Sequence, residues 1–203
     1  TIAVVDGSSA DAFDSLADQT VTVTTTDNET AAFTLSTTTA SVSEAATTGT
    51  FTAVLGAQPP SDVVLSVTSA DTGEATVSPS TLTFTDNNWD SAQTVTVTGV
   101  NDSVADGSQT TAVTIAVVDA SSADSYDSVA DQTVTVTTTD NETAAFTLST
   151  TTASVSESAT TGTFTVVLGA QPPSDVVLSV TSADTGEATV SPSTLTFTDN
   201  DWD

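Results

Sequence analysis

The chain has 203 residues, among them 27 Asp and Glu but no Lys, Arg, His or Cys, so its formal net charge is −27. This charge excludes nucleic acid as a partner, because no side chain can neutralise phosphate. Without imidazole, amine or thiol groups the usual catalytic bases and nucleophiles are absent, and we expect no enzyme activity. Without disulfides, we expect a bound metal ion to provide the stabilising cross-link.

The hydrophobic residues, 37% of the chain, alternate with Thr and Ser over short stretches, which is the period of a β-strand. No apolar run approaches the roughly 20 residues of a membrane-spanning helix, so direct membrane insertion is not expected. In chain order, seven strands are predicted in one stretch of about 110 residues. They are Ala32–Ser36, Gly49–Leu55, Asp62–Thr68, Thr81–Thr85, Thr94–Val100, Thr111–Val118 and Gln132–Thr138.

Turn residues separate these strands, as in the Gly56 to Asp62 segment with its two prolines and in the Asp106-Gly107 pair. Seven short strands with such breaks are typical of an antiparallel immunoglobulin-like sandwich. The fold class predicted is therefore all-β, as tandem immunoglobulin-like sandwiches. In each Val/Thr strand, Val should face the core and Thr should face water.

The sequence repeats itself with a shift of 113 residues, and about seven of ninety aligned positions differ. Three parts follow from this repeat: residues 1–30 are the C-terminal part of one repeat, residues 31–143 are a complete repeat, and residues 144–203 are the N-terminal part of the next. We expect the chain to be a segment of a longer tandem array, or its partial repeats to be completed by neighbouring copies.

The sequence Thr-Asp-Asn-Glu-Thr occurs at Thr26–Thr30 and again at Thr139–Thr143, each time between strand-like segments. No cation in the chain can balance these acids. Calcium prefers six to eight oxygen ligands, which Asp, Asn and Glu on loops supply. A calcium ion bound by these acids would neutralise their mutual repulsion and link adjacent sandwiches. A polar linker is the alternative explanation for the same residues.

The complete repeat resembles the Calx-beta domain and the extender repeats of large bacterial surface adhesins. The resemblance rests on an ordered series that includes Ser41-Val-Ser-Glu44, Phe51-Thr-Ala-Val-Leu55, Asn101-Asp102 and Val136-Thr-Thr-Thr-Asp140-Asn141-Glu142. It implies calcium ions at one end of the sandwich. The implied ligands are Glu44, Asp71, Asn101, Asp102, Asp106, Asp140, Asn141 and Glu142, with Asp27, Asn28, Glu29, Glu157 and Asp184 at related positions of the partial repeats.

Some positions depart from the family pattern. Asn101 and Asn141 replace carboxylates, and Gln109 stands where another acid is often found. Fewer negative ligands imply fewer or weaker calcium sites than in the strongest binders.

Other interpretations of single motifs are weaker. Asn28, Asn101 and Asn141 each begin a glycosylation sequon, and the Thr rows could suggest an ice-binding face. Trp89 and Trp202 could form a glycan platform, although an edge plug is the more common role. Glu44 with Asp71 could imitate glycosidase carboxylates. The acidity could also reflect a high-salt environment.

The leading functional hypothesis is a calcium-stiffened extracellular fibre, stalk or adhesin extender at the cell surface. Its partners would be neighbouring repeats of the same chain and identical chains in a filament. The alternative is a β-sandwich module that binds surface glycans or proteins through weak repeated sites.

Overall fold

A computed structural model describes all 203 residues, which form two compact units, 1–30 and 31–203. Residues 31–143 fold into an immunoglobulin-like β-sandwich, so the all-β prediction is confirmed. Its nine strands are β1 Phe33–Leu35, β2 Thr39–Ser43, β3 Thr48–Leu55, β4 Val63–Ser69, β5 Ala75–Ser78, β6 Thr81–Phe84, β7 Gln93–Gly99, β8 Gln109–Val117 and β9 Gln132–Thr139.

The nine strands form two sheets. One has the order β1-β3-β7-β5, and the other has the order β2-β9-β8-β4-β6. All pairs are antiparallel except β2 and β9, which run parallel. A parallel pair brings the carboxyl ends of two strands to the same edge of a sheet. The carboxyl ends of β2 and β9 therefore lie next to each other at one edge of the five-stranded sheet.

The core lies between the sheets and is built by the alternation that the Val/Thr pattern predicts. In β7, Val95 and Val97 are fully buried while Thr94 is exposed. The largest buried side chains include Phe51, Phe84 and Tyr126. Each large side chain buried in this way stabilises the fold by roughly 1.5–3 kcal/mol relative to its exposed state.

Two strands were missed by the sequence prediction, which gave seven strands instead of nine. β2 reads Thr-Ala-Ser-Val-Ser and β5 reads Ala-Thr-Val-Ser. Each has one Val among small residues, so neither shows the bulky alternating pattern of a half-buried strand. Their pairing with β9 and β7 makes them strands, because hydrogen bonding to a formed sheet overrides weak local propensity.

Residues 144–203 contain four further short strands, β10 Phe146–Leu148, β11 Val166–Leu168, β12 Val176–Ser179 and β13 Thr194–Phe197. β10 pairs with β11 and β12 pairs with β13. The registers equal those of β1 with β3 and of β4 with β6 after a shift of 113 residues. Local sequence therefore fixes the same strand pairs in both copies.

Residues 1–30 contain two short 3-10 helices, Asp6–Ser8 and Asp11–Phe13, and one antiparallel bridge between Ile2 and Gln19. Two corresponding 3-10 helices, Asp119–Ser121 and Asp124–Tyr126, connect β8 to β9 in the complete repeat. No helix in the chain is long and apolar enough to cross a membrane.

Candidate metal centre

The parallel pairing of β2 with β9 sets two acids side by side. Ser43 and Thr139 are the last paired residues of these strands, and the next residues in the chain are Glu44 and Asp140. The Glu44 amide donates a hydrogen bond to the Thr139 carbonyl at 3.1 Å, which extends the pairing by one residue. Both carboxyl groups therefore leave the same edge of the five-stranded sheet.

Glu44 is the most deeply buried acid of the chain, with only 1% of its surface exposed. The Asn141 amide donates to its Oε2 at 3.4 Å, a long bond that compensates little of the lost hydration. A carboxylate buried without a cationic partner is strongly unfavourable. The chain contains no Lys, Arg or His that could pair with it.

Asp140 is held by backbone donors from two directions. The Gly107 amide donates to its Oδ2 at 2.7 Å, and the Glu142 amide donates to its Oδ1 at 2.6 Å. Gly107 has φ of 77°, a left-handed conformation that glycine adopts without strain. These two donors fix Asp140 in an ionised form beside Glu44.

Glu142 completes a cluster of three acids. One carboxylate oxygen from each of Glu44, Asp140 and Glu142 lies within 4.8 Å of the others. The Oε2 atom of Glu142 is buried and has no hydrogen-bond partner. Three converging carboxylates, one of them with an orphaned buried oxygen, match the hard oxygen donors that calcium takes. The residues present therefore fit a divalent cation.

The pKa values of the clustered acids show that their negative charges lack a compensating positive charge. Burial raises the pKa of Glu44 from its ordinary 4.5 to about 7, and the Glu142 carboxyl and the Asp102 charge add to the rise. Hydrogen bonds from the Gly107 and Glu142 backbone hold the pKa of Asp140 below its ordinary value. Without a cation, Glu44 can be ionised only at considerable cost in free energy.

Asn101 and Asp102 lie beside the three acids. The Asn141 side-chain amide donates to Asn101 Oδ1 at 2.9 Å, and the Asn101 side-chain amide donates to the Asp102 carbonyl at 2.8 Å. Asp102 Oδ1 accepts from the Val104 amide at 2.7 Å. The two asparagines tie the loop after β7 to the residues that follow β9.

Glu74 was missed by the sequence analysis. Its Oε2 is buried without a partner, and burial raises its pKa, with further increases from Asp106, Asp102, Asp71 and Asp140. Asp71 and Asp106 are themselves exposed, and Asp71 Oδ1 accepts from the Gly73 amide at 2.8 Å. The signal for Glu74 was its place three residues after Asp71, across a tight turn.

The related acids of the two partial repeats form no comparable cluster. Asp27, Asn28 and Glu29 are exposed, and the Glu29 amide donates to Asp27 Oδ1 at 3.2 Å. Glu157 and Asp184 are also exposed. Asp184 accepts from the Gly186 amide at 2.9 Å, as Asp71 does from Gly73. Only the complete repeat brings three acids to one point.

Trp89 is partly buried and packs against the core of the complete repeat. Its carbonyl accepts a hydrogen bond from the Leu55 amide at 3.1 Å. Trp202 makes the same contact with the Leu168 amide at 2.9 Å. These contacts support the edge-plug role rather than an exposed glycan platform.

No protein-family model and no curated protein matches this chain. Among solved structures, the chain is similar to the apo-form Calx CBD1 domain, with 12% identity over 56% of this chain and 100% of that one, and a TM-score of 0.43. It is also similar to the S-layer protein rSbsC, with 24% identity, a TM-score of 0.36, and coverage of 57% of this chain and 14% of that one.

A third similarity is to the Escherichia coli chaperone DraB, with 6% identity over 57% of this chain and 60% of that one, and a TM-score of 0.41. The chain thus spans well under two thirds of rSbsC and somewhat under two thirds of DraB. At these TM-scores the similarities carry no argument about activity, ligands or assembly.

Proposed function

We propose that this chain is a structural segment of an extracellular fibre, stalk or adhesin extender whose tandem sandwiches are stiffened by calcium. The observation that carries the proposal is the buried Glu44 carboxyl in contact range of Asp140 and Glu142, with no cationic side chain anywhere in the chain. Calcium bound there would be held by these three acids, with Asp102 and Asn101 on the adjoining loop as further oxygen donors.

The location of the cluster supports a role at the junction between repeats. Asp140 and Glu142 belong to the segment through which the chain leaves β9 and enters residues 144–203. A cation there would link β2, β9 and the exit segment of the complete repeat. The bound cation would then fix the direction in which the segment after β9 leaves the sandwich.

The loop from Asn101 to Gly107 connects the cluster to the following repeat. The Gln171 amide donates to the Ser103 carbonyl at 2.8 Å, and the Ala105 amide donates to the Gln171 carbonyl at 2.9 Å. The charge of Asp102, in the same loop, raises the pKa of Glu44, and the Gly107 amide of this loop donates to Asp140. Ordering this loop with calcium would therefore also order its contact with residues 144–203.

Hydrogen exchange in calcium and in EGTA, at matched ionic strength, tests this coupling. We expect calcium to slow exchange of the Ala105 and Gln171 amides, because their hydrogen bonds open only when the loop opens. The Gly169 amide, which donates to the Ala145 carbonyl within the partial repeat at 2.8 Å, serves as the internal control. Magnesium should act weakly, because it needs a smaller, more regular site.

The experiments distinguish calcium binding at the cluster from stiffening of the junction by calcium. If calcium raises stability but leaves exchange at Ala105 and Gln171 unchanged, the cluster binds the ion without stiffening the junction. If calcium changes neither quantity, the calcium proposal itself is wrong, and the acidic segment is a polar linker.

A further inference from the structure

The parallel pairing of β2 with β9 joins the N-terminal part of the complete repeat directly to its last strand. Five residue pairs form this contact, which begins with Thr39 opposite Thr135. The Thr135 amide donates to the Thr38 carbonyl at 2.9 Å, and the Glu44 amide donates to the Thr139 carbonyl at 3.1 Å. The two strands are therefore hydrogen-bonded from one end of β2 to the other.

The direction of the two strands decides how tension would act on them. The chain enters β2 at Thr39 and leaves β9 at Thr139. Because the strands are parallel, these two points lie at opposite ends of the pair. Tension applied through the residues before β2 and after β9 therefore pulls the strands past each other along their common axis. Their hydrogen bonds are then strained together instead of one after another.

β1 offers a shorter contact against the same tension. It precedes β2 in the chain and pairs with β3 in the other sheet over only three residue pairs, from Phe33 with Leu55 to Leu35 with Ala53. Detaching β1 exposes Phe33 but leaves the five pairs between β2 and β9 intact. The β2–β9 pair is therefore the last contact that holds the N-terminal part of the repeat.

Two further contacts hold β2 in its position along β9. Val42 is 4% exposed and packs in the core. Gly99 of β7 lies so close to Ser43 that a Cβ atom there would overlap the Ser43 carbonyl. Sliding of β2 along β9 would break both contacts in addition to the hydrogen bonds between the strands.

We propose that the β2–β9 pair is a mechanical clamp, which opposes unfolding of the repeat when the chain is pulled from its two ends. The biological role of the clamp rests on the proposed fibre function, because a fibre transmits tension from one repeat to the next. The resistance itself follows from the direction of the strands and requires no bound ion.

The candidate metal centre lies at one end of this clamp. Glu44 follows the last paired residue of β2, and Asp140 follows the last paired residue of β9. A cation held by both acids would connect the two strands, and one of these contacts would have to break before the strands could slide. Calcium should therefore slow unfolding under tension further.

Single-molecule force spectroscopy of the full chain in EGTA tests the clamp. The chain has no Cys, so a Cys added at each end attaches the pulling handles at defined points. Residues 31–143 should unfold in one step that releases roughly 370–410 Å of extended chain, less the folded span. In the comparison geometry one handle is moved to Ala45→Cys, an exposed position just after β2. Both pulled points then lie beyond the same end of the strand pair, and its hydrogen bonds open one at a time.

The two pulling geometries should give different unfolding rates at the same constant force. We expect unfolding to be at least about tenfold slower when the handles are at the two chain ends, because several hydrogen bonds must break together. Urea unfolding without handles checks that Ala45→Cys leaves the equilibrium stability unchanged. Equal unfolding rates in the two geometries would overturn the proposal.

Two proline variants test the same hydrogen bonds by a second route. Parallel strands repeat their hydrogen bonds every two residues, so the bond from the Glu44 amide to the Thr139 carbonyl assigns the Ala40 amide to the Thr135 carbonyl. Ala40→Pro removes this donor and should speed unfolding under end-to-end tension about fivefold. Ser41→Pro is the matched control, because the Ser41 amide faces away from β9. Equal rates for the two variants would contradict the clamp, and the comparison of pulling geometries needs neither variant.

The clamp and the calcium proposal are tested separately by the same instrument. Slow end-to-end unfolding in EGTA that calcium leaves unchanged would support the clamp and count against calcium binding at its end. Calcium-dependent slowing with equal rates in the two pulling geometries would support calcium binding and overturn the clamp.

Discussion

Glu44 and Asp140 leave the same edge of the five-stranded sheet, each as the first residue after one strand of a parallel pair. The two residues are 96 positions apart in sequence, yet the parallel register of Ser43 with Thr139 makes them neighbours. Glu142 joins them two residues later. This geometry concentrates negative charge where the chain leaves β9 and enters residues 144–203.

The raised pKa of Glu44 gives the metal-free protein a specific pH dependence. The folded state binds the Glu44 proton more tightly than the unfolded state, so the free energy of unfolding should fall as the pH rises from about 4.5 to about 7. The loss attributable to Glu44 is about 3 kcal/mol at most. Urea unfolding in EGTA, measured across this pH range, gives the profile.

Glu44→Gln separates this effect from that of the other acids. Burial also raises the pKa of Glu74, which acts in the same direction, so both proteins will lose some stability as the pH rises. The variant should lose less than the wild type. Parallel profiles for the two proteins would show that Glu44 is not the group that titrates.

Gly99 at the end of β7 fits against the backbone of Ser43, which precedes Glu44. A Cβ atom at position 99 would overlap the Ser43 carbonyl. We expect Gly99→Ala to push β2 away and to lower the free energy of unfolding by about 1–3 kcal/mol. Gly7→Ala is the matched control, because no atom lies within 4 Å of the Cβ position there.

The displacement of β2 by Gly99→Ala should also weaken any response to calcium, because Glu44 moves with β2. Chemical unfolding with and without calcium measures both effects. Equal stability of Gly99→Ala and Gly7→Ala would mean that the contact with Ser43 relaxes without cost.

The ring of Tyr126 packs in the core of the complete repeat, and its hydroxyl donates a hydrogen bond to the Ala57 carbonyl. Tyr126→Phe keeps the ring but leaves the Ala57 carbonyl without its donor at 2.6 Å. We expect the free energy of unfolding to fall by about 1 kcal/mol, the usual net contribution of one buried hydrogen bond. Leu16→Val, which copies Val129 in an exposed setting, should have no comparable effect in the same urea titration.

Much of the fold could be predicted from the sequence, because apolar residues recur at every second position in β3, β4, β7, β8 and β9. The sandwich class followed from that period and from the turn residues. β2 and β5 could not be found in this way, since their small residues carry too little β propensity to stand out. They become strands only through pairing with a sheet that is already present.

The candidate site was predictable in composition but not in geometry. Acidic repetition and the family resemblance pointed to Glu44, Asp140 and Glu142, but the parallel pairing that joins them depends on β2. Glu74 was missed because its place three residues after Asp71 does not reveal that its Oε2 is buried, and this burial is what raises its pKa. Long-range strand pairing therefore determines which of the many acids in the chain meet.

The most direct test of the central claim is unfolding of the full chain in calcium and in EGTA at matched ionic strength and neutral pH, for the wild type and Glu44→Gln. An ion that binds only the folded state stabilises it by about 2.7 kcal/mol at a hundredfold excess over its Kd. The account predicts a calcium-specific rise of that order in the wild type and little or none in Glu44→Gln. Equal stability of the wild type in calcium and in EGTA would contradict it.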